Sequence, residues 1–264
     1  MEERSIPRIT HQIWFQGWDA LPERFRKNVD ALHERNPDYK HMQWDEQSLK
    51  AECFKISPLV AAKFDAYPHM IQKIDFARCV VLYLFGGVTV DTDMVQLGSI
   101  DATPQINTAD MIVSGAAFPM SLLGQTNNAL LMAKPRHPVV GELIQRMLLC
   151  EKKESDFLTK ELFVGWTTGP FVSHTVFHNH KDTIVFLHNK YFEPCISADL
   201  LCSPSKESIM DHRHELSWQN PLLRILWNIL ILLLYVLIAF IPLGVGYGLF
   251  RLVQSSRVMN VFKT

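Results

Sequence analysis

Several features that would place a chain quickly are missing from this 264-residue sequence. Neither charge sign dominates: 26 basic and 27 acidic side chains give a formal net charge of −1 at pH 7. That balance excludes a strongly basic nucleic-acid binder and a charge-rich disordered chain. No Asn-X-Ser/Thr sequon occurs, so glycosylation gives no hint of a lumen. The opening stretch MEERSIPRITHQIW has no apolar centre, so no cleavable leader is read there. The five cysteines, at 53, 79, 150, 195 and 202, lie scattered without Cys-x-x-Cys spacing. Free thiols are expected from that pattern, rather than a zinc site or a disulfide framework. Internal repeats and low-complexity tracts are also missing.

What is present in excess is one apolar run. Residues 225–250 are 26 positions without Asp, Glu, Lys or Arg, and 21 of them are apolar. As a helix the run would reach roughly 39 Å, against a bilayer core of about 30 Å. It has no polar face, and a kink at Pro242 is tolerated in a membrane helix. Trp218, Trp227 and Tyr247 suit the two interfaces. Lys206, Arg213 and Arg224 precede the run and Arg251, Arg257 and Lys263 follow it, so the charges give no orientation. The expected organisation is a globular domain over 1–218, a juxtamembrane link over 219–224, a transmembrane helix over 225–250 and a polar tail over 251–264. The first segment is long enough to bury a core without disulfide staples.

Periodicity predicts strands over 6–15, 39–44, 88–90, 111–113 and 184–187. It predicts helices over 22–35, after Asp45, and over 58–64, 69–85 and 138–150. The helix over 69–85 reads as amphipathic, with apolar residues at 70, 71, 74, 77, 80, 81, 84 and 85. Alternation of helix and strand makes the fold class α/β. Gly86-Gly87 stops that helix, and Val88-Thr89-Val90 runs into Asp91-Thr92-Asp93. At a strand end Asp91 and Asp93 would share a face, because side chains alternate with period two. Two such carboxylates can hold a hard divalent cation while leaving positions for phosphate oxygens. Asp75 and Arg78 lie three apart on the helix. They form either a simple surface ion pair or a carboxylate and guanidinium aimed at the hydroxyls of a ligand.

The segments IPRITHQIW, PDYKHMQWDE, YPHMIQKIDFARCVVLYLFGGVTVDTDM, NNALLMAKPRHP and TTGP, in this order, resemble glycosyltransferases with a DXD sugar-binding motif (glycosyltransferase family 32). That group includes fungal inositol phosphoceramide mannosyltransferases and Golgi initiating α-mannosyltransferases, and the likeness spans about residues 6–218. It implies a GT-A, Rossmann-like domain, a nucleotide-sugar donor, Mn²⁺ or Mg²⁺, and retention of anomeric configuration. By the same resemblance Asp91 would meet ribose and donor, Asp93 would ligate the metal, and Asp75 and Arg78 would hold the donor sugar. Gln12, Ile13 and Trp14 would lie near the nucleotide, and Asn127 or Asn128 near sugar and acceptor. The closing segment from His212 to Trp218 would cap the diphosphate through Ser217 and Trp218, with His212 or His214 as a further metal ligand. Thr89 departs from the tyrosine common in the group, and the N-terminal anchor frequent there is not seen. The membrane-bound members point to mannose from GDP-mannose, a lipid acceptor such as inositol phosphoceramide or else a glycan, no nucleic-acid partner, and a single-pass protein of the Golgi or another endomembrane. Two other classes fit locally. One is a haloacid-dehalogenase-type phosphatase with Asp91 as nucleophile and Asp93 as general acid. The other is a degenerate, membrane-tethered sugar-nucleotide binding protein.

Overall fold

The computed structural model describes residues 4–195, 202–215, 218–234, 236 and 240. The chain divides into two units, residues 1–218 and 219–264. The first unit opens with β1 (Ile9–Ile13), α1 (Glu23–Arg35), β2 (Lys40–Trp44), α2 (Glu46–Ile56), α3 (Pro58–Ala66) and α4 (Met70–Phe85). Short-range chemistry sets these boundaries. The Asp45 side chain accepts the Ser48 N–H while the Ser48 hydroxyl accepts the Asp45 N–H, a reciprocal cap that starts α2. Ser57 caps α3, with Pro58 in its first turn where no N–H is needed.

Next come β3 (Gly87–Val90), β4 (Met94–Gln96), β5 (Met111–Gly115), β6 (Thr126–Ala133), α5 (Pro138–Leu148), α6 (Lys160–Thr167), α7 (Pro170–Asn179), β7 (Val185–Leu187) and β8 (Met210–His212). Six strands form one mixed sheet in the order β2-β1-β3-β6-β5-β7. In it β1 runs parallel to β2 and β3, whereas β6 is antiparallel to both β3 and β5. A separate antiparallel pair joins β4 to β8. Alternate side chains serve opposite faces of the main sheet. Met111, Val113 and Leu131 enter a core with α2, α3, α4, α5 and α7. Val88, Val90, Ile112, Leu130 and Met132 enter a second core that includes Leu32 and Phe192.

Three expectations are corrected here. The helix over 69–85 is not an amphipathic surface helix: α4 packs against α2, α3, α5, α6 and the sheet, so Gln72, Asp75 and Arg78 are buried along with its apolar residues. Asp91 and Asp93 do not end a strand. They flank a turn, closed by the Met94 N–H on Asp91 O at 3.1 Å, between β3 and β4. Cys195 and Cys202 are not free thiols but a disulfide with Cα atoms 5.7 Å apart, whereas Cys53, Cys79 and Cys150 are free.

In the second unit, residues 221–234 are helical and Leu222, Ile225, Leu226, Leu230 and Leu233 are exposed. Among the described residues no helix is long and apolar enough to cross a membrane. Most of the membrane segment expected over 225–250, namely 235, 237–239 and 241–250, and the tail over 251–264 lie outside the described residues.

Candidate active site

The turn from α4 into β3 builds the first half of the site. Gly86 and Gly87 both have positive φ, 63° and 95°. A Cβ on Gly87 would sit 2.4 Å from Ile9 O, and one on Gly86 would sit 2.6 Å from Pro135, so only glycine fits this reversal. From Arg78 to the helix end the chain travels about 11 Å at 1.5 Å per residue. It returns roughly 13 Å along β3 to Asp91 at about 3.3 Å per residue. The reversal therefore brings the middle of α4 beside the Asp-Thr-Asp turn. Arg78 donates to Asp91 Oδ1 and to the backbone oxygen of Asn128, with Asp75 Oδ1 3.8 Å away. Asp75 accepts from Asn128 Nδ2 and from the Thr168 hydroxyl, both at 3.3 Å.

Asp75 and Arg78 are thus no surface ion pair, since their side chains are only 5% and 4% exposed. A buried charge of this kind persists only when partnered. Burial pushes the Asp75 carboxyl up to about 7 against the pull of Arg78. It also raises Asp91, again against Arg78. Asp91 keeps 34% of its side chain accessible, the edge at which a ligand can reach it. Of the two asparagines, Asn128 joins this group. Asn127 turns back on its own strand, its Oδ1 accepting the Ala129 N–H at 2.6 Å. A register shift between β5 and β6, at Val113/Ser114, accompanies this change of direction.

The second half is assembled across the β4–β8 pair. Met94 lies opposite His212 in that ladder, which sets His212 Nε2 3.3 Å from Asp93 Oδ2. The Glu215 N–H donates to the same oxygen at 3.0 Å. Burial acts to raise Asp93, but His212 outweighs it and holds the carboxyl at about 2. Burial acts to lower His212, yet Asp93 and Glu193 bring it up to about 10. Asp91, Asp93 and His212 offer ligand atoms all within 4.8 Å of one another, two hard carboxylates and one imidazole. That donor set fits a divalent cation of the Mn²⁺ type. Of the two candidate histidines, His212 faces the aspartates, while His214 groups with His212 and Glu193. His214 is pressed down to about 4 by burial and by neighbouring His212.

Gln12, Ile13 and Trp14 lie at the end of β1, where the buried Gln12 Oε1 and Trp14 Nε1 have no hydrogen-bond partner among the described residues. Trp14 packs on Phe25 of α1, and α1 reaches the aspartate turn through Asn28 Nδ2 on Thr92 O at 2.9 Å. Thr89 is internal to the sheet, its hydroxyl accepting the Leu131 N–H at 3.2 Å. Trp218 sits beside Lys160 of α6, whose ammonium donates to its backbone oxygen. Ser217 lies outside the described residues. Thr168 and Glu193 were not singled out from the sequence. Thr168 lies in the quoted TTGP segment, whereas nothing in the spacing around Glu193 marks it. The phosphatase alternative is not favoured: its nucleophile Asp91 is paired with Arg78 and its general acid Asp93 with His212.

Residues 22–111, from the first turn of α1 to the start of β5, match the family model for a glycosyltransferase sugar-binding region containing a DXD motif. Residues 22–111 thus resemble a DXD glycosyltransferase sugar-binding region. Asp75, Arg78, Asp91 and Asp93 all fall inside it. An uncharacterized glycosyltransferase of Acanthamoeba polyphaga mimivirus is 28% identical over 195 residues, covering 72% of this chain and 74% of the viral protein. Inositol phosphoceramide mannosyltransferase 1 of Schizosaccharomyces pombe is 28% identical over 172 residues, 64% of this chain and 50% of the yeast protein, so the chain spans about half the length of that relative. The UDP-bound glycosyltransferase domain of the YGT toxin superposes with a TM-score of 0.50 at 10% identity, covering 79% of this chain and 83% of the toxin domain. The fold around the DXD region is accordingly GT-A-like, a mixed sheet flanked by helices.

Proposed function

We propose that the chain is a metal-dependent, retaining glycosyltransferase that moves mannose from GDP-mannose onto a membrane lipid such as inositol phosphoceramide. One observation carries the catalytic part. Two separately built groups, Asp75/Arg78/Asn128 on one side and His212 with the Glu215 N–H on the other, converge on Asp91 and Asp93, the two carboxylates of a single turn. Asp93 and His212, with Asp91, would hold Mn²⁺ or Mg²⁺. When bound, the cation supplies positive charge to the diphosphate leaving group. Asp75 and Asn128 supply a carboxylate and an amide for sugar hydroxyls, and Arg78 fixes Asp91 between them. Gln12 and Trp14 hold buried polar atoms without a partner among the described residues, which supports placing the nucleotide near the end of β1, and the closing segment through Ser217 and Trp218 would cover it. Both inner carboxylates already hold protein partners, Asp91 on Arg78 and Asp75 on Asn128 and Thr168, which supports a positioning role for each. Attack of the acceptor hydroxyl on the leaving-group face then relies on positioning and charge stabilisation by the protein.

The choice of mannose and of a sphingolipid acceptor is supported by the name of the yeast relative. A nucleoside diphosphate donor is supported by the UDP-bound toxin domain. The apolar run over 225–250 supports a single-pass membrane protein. The Cys195–Cys202 disulfide supports an oxidising lumen, as in the Golgi, for the catalytic unit. The test is a donor screen with the full chain and Mn²⁺, reading released nucleoside diphosphate with vesicles containing inositol phosphoceramide or with free oligosaccharide. GDP release from GDP-mannose, stimulated by the lipid, is expected. Efficient transfer to the oligosaccharide alone would remove the lipid assignment. Cleavage of phosphomonoesters without sugar-nucleotide turnover would remove the transferase assignment.

A further inference from the structure

Glu193 lies next to the cation site without touching the aspartates. It follows the turn after β7, is buried to 5% exposure, and is anchored by the Ala117 N–H on Oε1 at 2.9 Å. Its own N–H donates to Asn189 O at 2.8 Å, so backbone and side chain are both fixed. Two imidazoles face this one carboxylate: His212 Nδ1 is 3.8 Å from Oε2, and His214 Nε2 is 3.4 Å from Oε1. Both nitrogens are buried without a hydrogen-bond partner among the described residues. The two rings lie 4.0 Å apart at 34°, and His214 is presented from a left-handed backbone, φ 49°. A non-glycine residue held at positive φ is uncommon and marks a position fixed by its surroundings.

We propose that Glu193 is a positioning residue for the cation site, accepting the N–H of His212 at Nδ1 and so leaving Nε2 to face the ion beside Asp93. This rests on the cation reading given above. An imidazole can bind a metal through one nitrogen only when the other carries the proton, and a buried carboxylate is the partner that fixes which one. The arrangement has that polarity. Nε2 lies 3.3 Å from Asp93 Oδ2 and Nδ1 lies 3.8 Å from Glu193 Oε2, so the two carboxylates bracket the ring from opposite nitrogens. His214 Nε2 lies 3.4 Å from the other Glu193 oxygen, where it restrains the carboxylate and acts as a support rather than a ligand.

The experiment is a Mn²⁺ titration of the full chain, reading free Mn²⁺ by electron paramagnetic resonance with no donor present. Wild type is expected to bind one ion, and Asp93→Asn to lose it. Glu193→Gln should weaken binding about 10–100-fold with unchanged circular dichroism, and Glu193→Asp should recover part of the loss. Wild-type affinity in Glu193→Gln, with Asp93→Asn still defective, would overturn the role of Glu193 and leave the cation site standing. Two ions per chain, one of them lost in Glu193→Gln, would overturn it in favour of a second site on Glu193, His212 and His214. No ion bound by wild type would remove both readings. Should Glu193→Gln fail to fold, nitrogen-15 spectra of the Cd²⁺-loaded wild type decide instead. His212 protonated at Nδ1 is expected, and protonation at Nε2 overturns the proposal.

Discussion

Asp91 and Asp93 are separated by a single threonine and meet opposite surroundings. Asp91 faces inward to Arg78, a cation fixed in the middle of α4, and burial raises its carboxyl. Asp93 faces His212, on a strand more than a hundred residues later, and is held at about 2. The first pairing, Asp91 with Arg78, comes from one continuous stretch of chain folded back on itself at Gly86-Gly87. The second is made by a two-stranded ladder that brings distant segments together. A short motif can therefore join two sites built by different means, one part of the core and one hung at its edge.

If the Asp91 side is core, breaking it should cost stability as well as activity. Arg78→Met leaves the buried Asp75 and the half-buried Asp91 without their cation and should destabilise the chain by about 3–5 kcal/mol, read as a lower urea midpoint at unchanged slope. A loss below about 1 kcal/mol would return Arg78 to the surface-pair class.

The reversal that supports Asp91 should also respond to acid through His11. His11 is fixed in its neutral form: Nε2–H donates to Gly86 O at 2.8 Å, and Nδ1 accepts the Trp44 indole N–H at 3.1 Å. Burial lowers it from 6.5 to about 4. The native state then binds fewer protons than the unfolded chain between these values, so stability is full above pH 6.5 and falls as pH drops toward 4. At 1.36 kcal/mol per unit, the loss is roughly 3 kcal/mol. Urea unfolding across pH 7.5 to 4 should show a steeper decline in wild type than in His11→Gln, and equal slopes would contradict this.

Smaller effects should separate neighbours within the pocket. Asn127→Ala exposes the buried Ala129 N–H and should cost about 1–2 kcal/mol of stability. Asn128→Ala removes one of the two hydrogen bonds on buried Asp75 and should cost about 1 kcal/mol of stability, but, unlike Asn127→Ala, it should also lower kcat/KM for the donor about tenfold, the kinetic equivalent of about 1.4 kcal/mol. Interchanged outcomes would mean that Asn127 is the residue facing the donor. The smallest effect is expected at Arg24, whose exposed ion pair with Glu215 at 3.1 Å links α1 to the segment after β8. Arg24→Ala should change the unfolding free energy by about 0–1 kcal/mol, and a larger loss would mean that the Asp93 side is as built-in as the Asp91 side.

The same division explains what could be read from the sequence. α4, its Gly-Gly stop and the Asp-Thr-Asp motif are contiguous, so periodicity and pattern exposed them, although the motif reads as a strand end and folds as a turn, and α1, α2, α3 and α5 were marked by their caps and prolines. β6 was missed because both of its faces are buried, which erases the period-two signal. The amphipathic reading of α4 failed because neighbours on several sides cover it. The β4–β8 pair and the placing of Glu193 depend on long-range contacts that spacing does not encode, whereas the local Cys195–Cys202 bridge fits no Cys-x-x-Cys spacing that would mark it. Asp93 was therefore legible, while the choice between His212 and His214 needed the ladder register.

The most direct test compares nucleoside diphosphate release from the preferred sugar nucleotide by wild type and Asp93→Asn, each with Mn²⁺ and with EDTA. Loss of turnover by at least about 100-fold in the mutant, matched by EDTA in wild type and with the fold intact by circular dichroism, is the expected result. Turnover at the wild-type rate in Asp93→Asn, unaffected by EDTA, would contradict the central claim that this turn holds the catalytic cation.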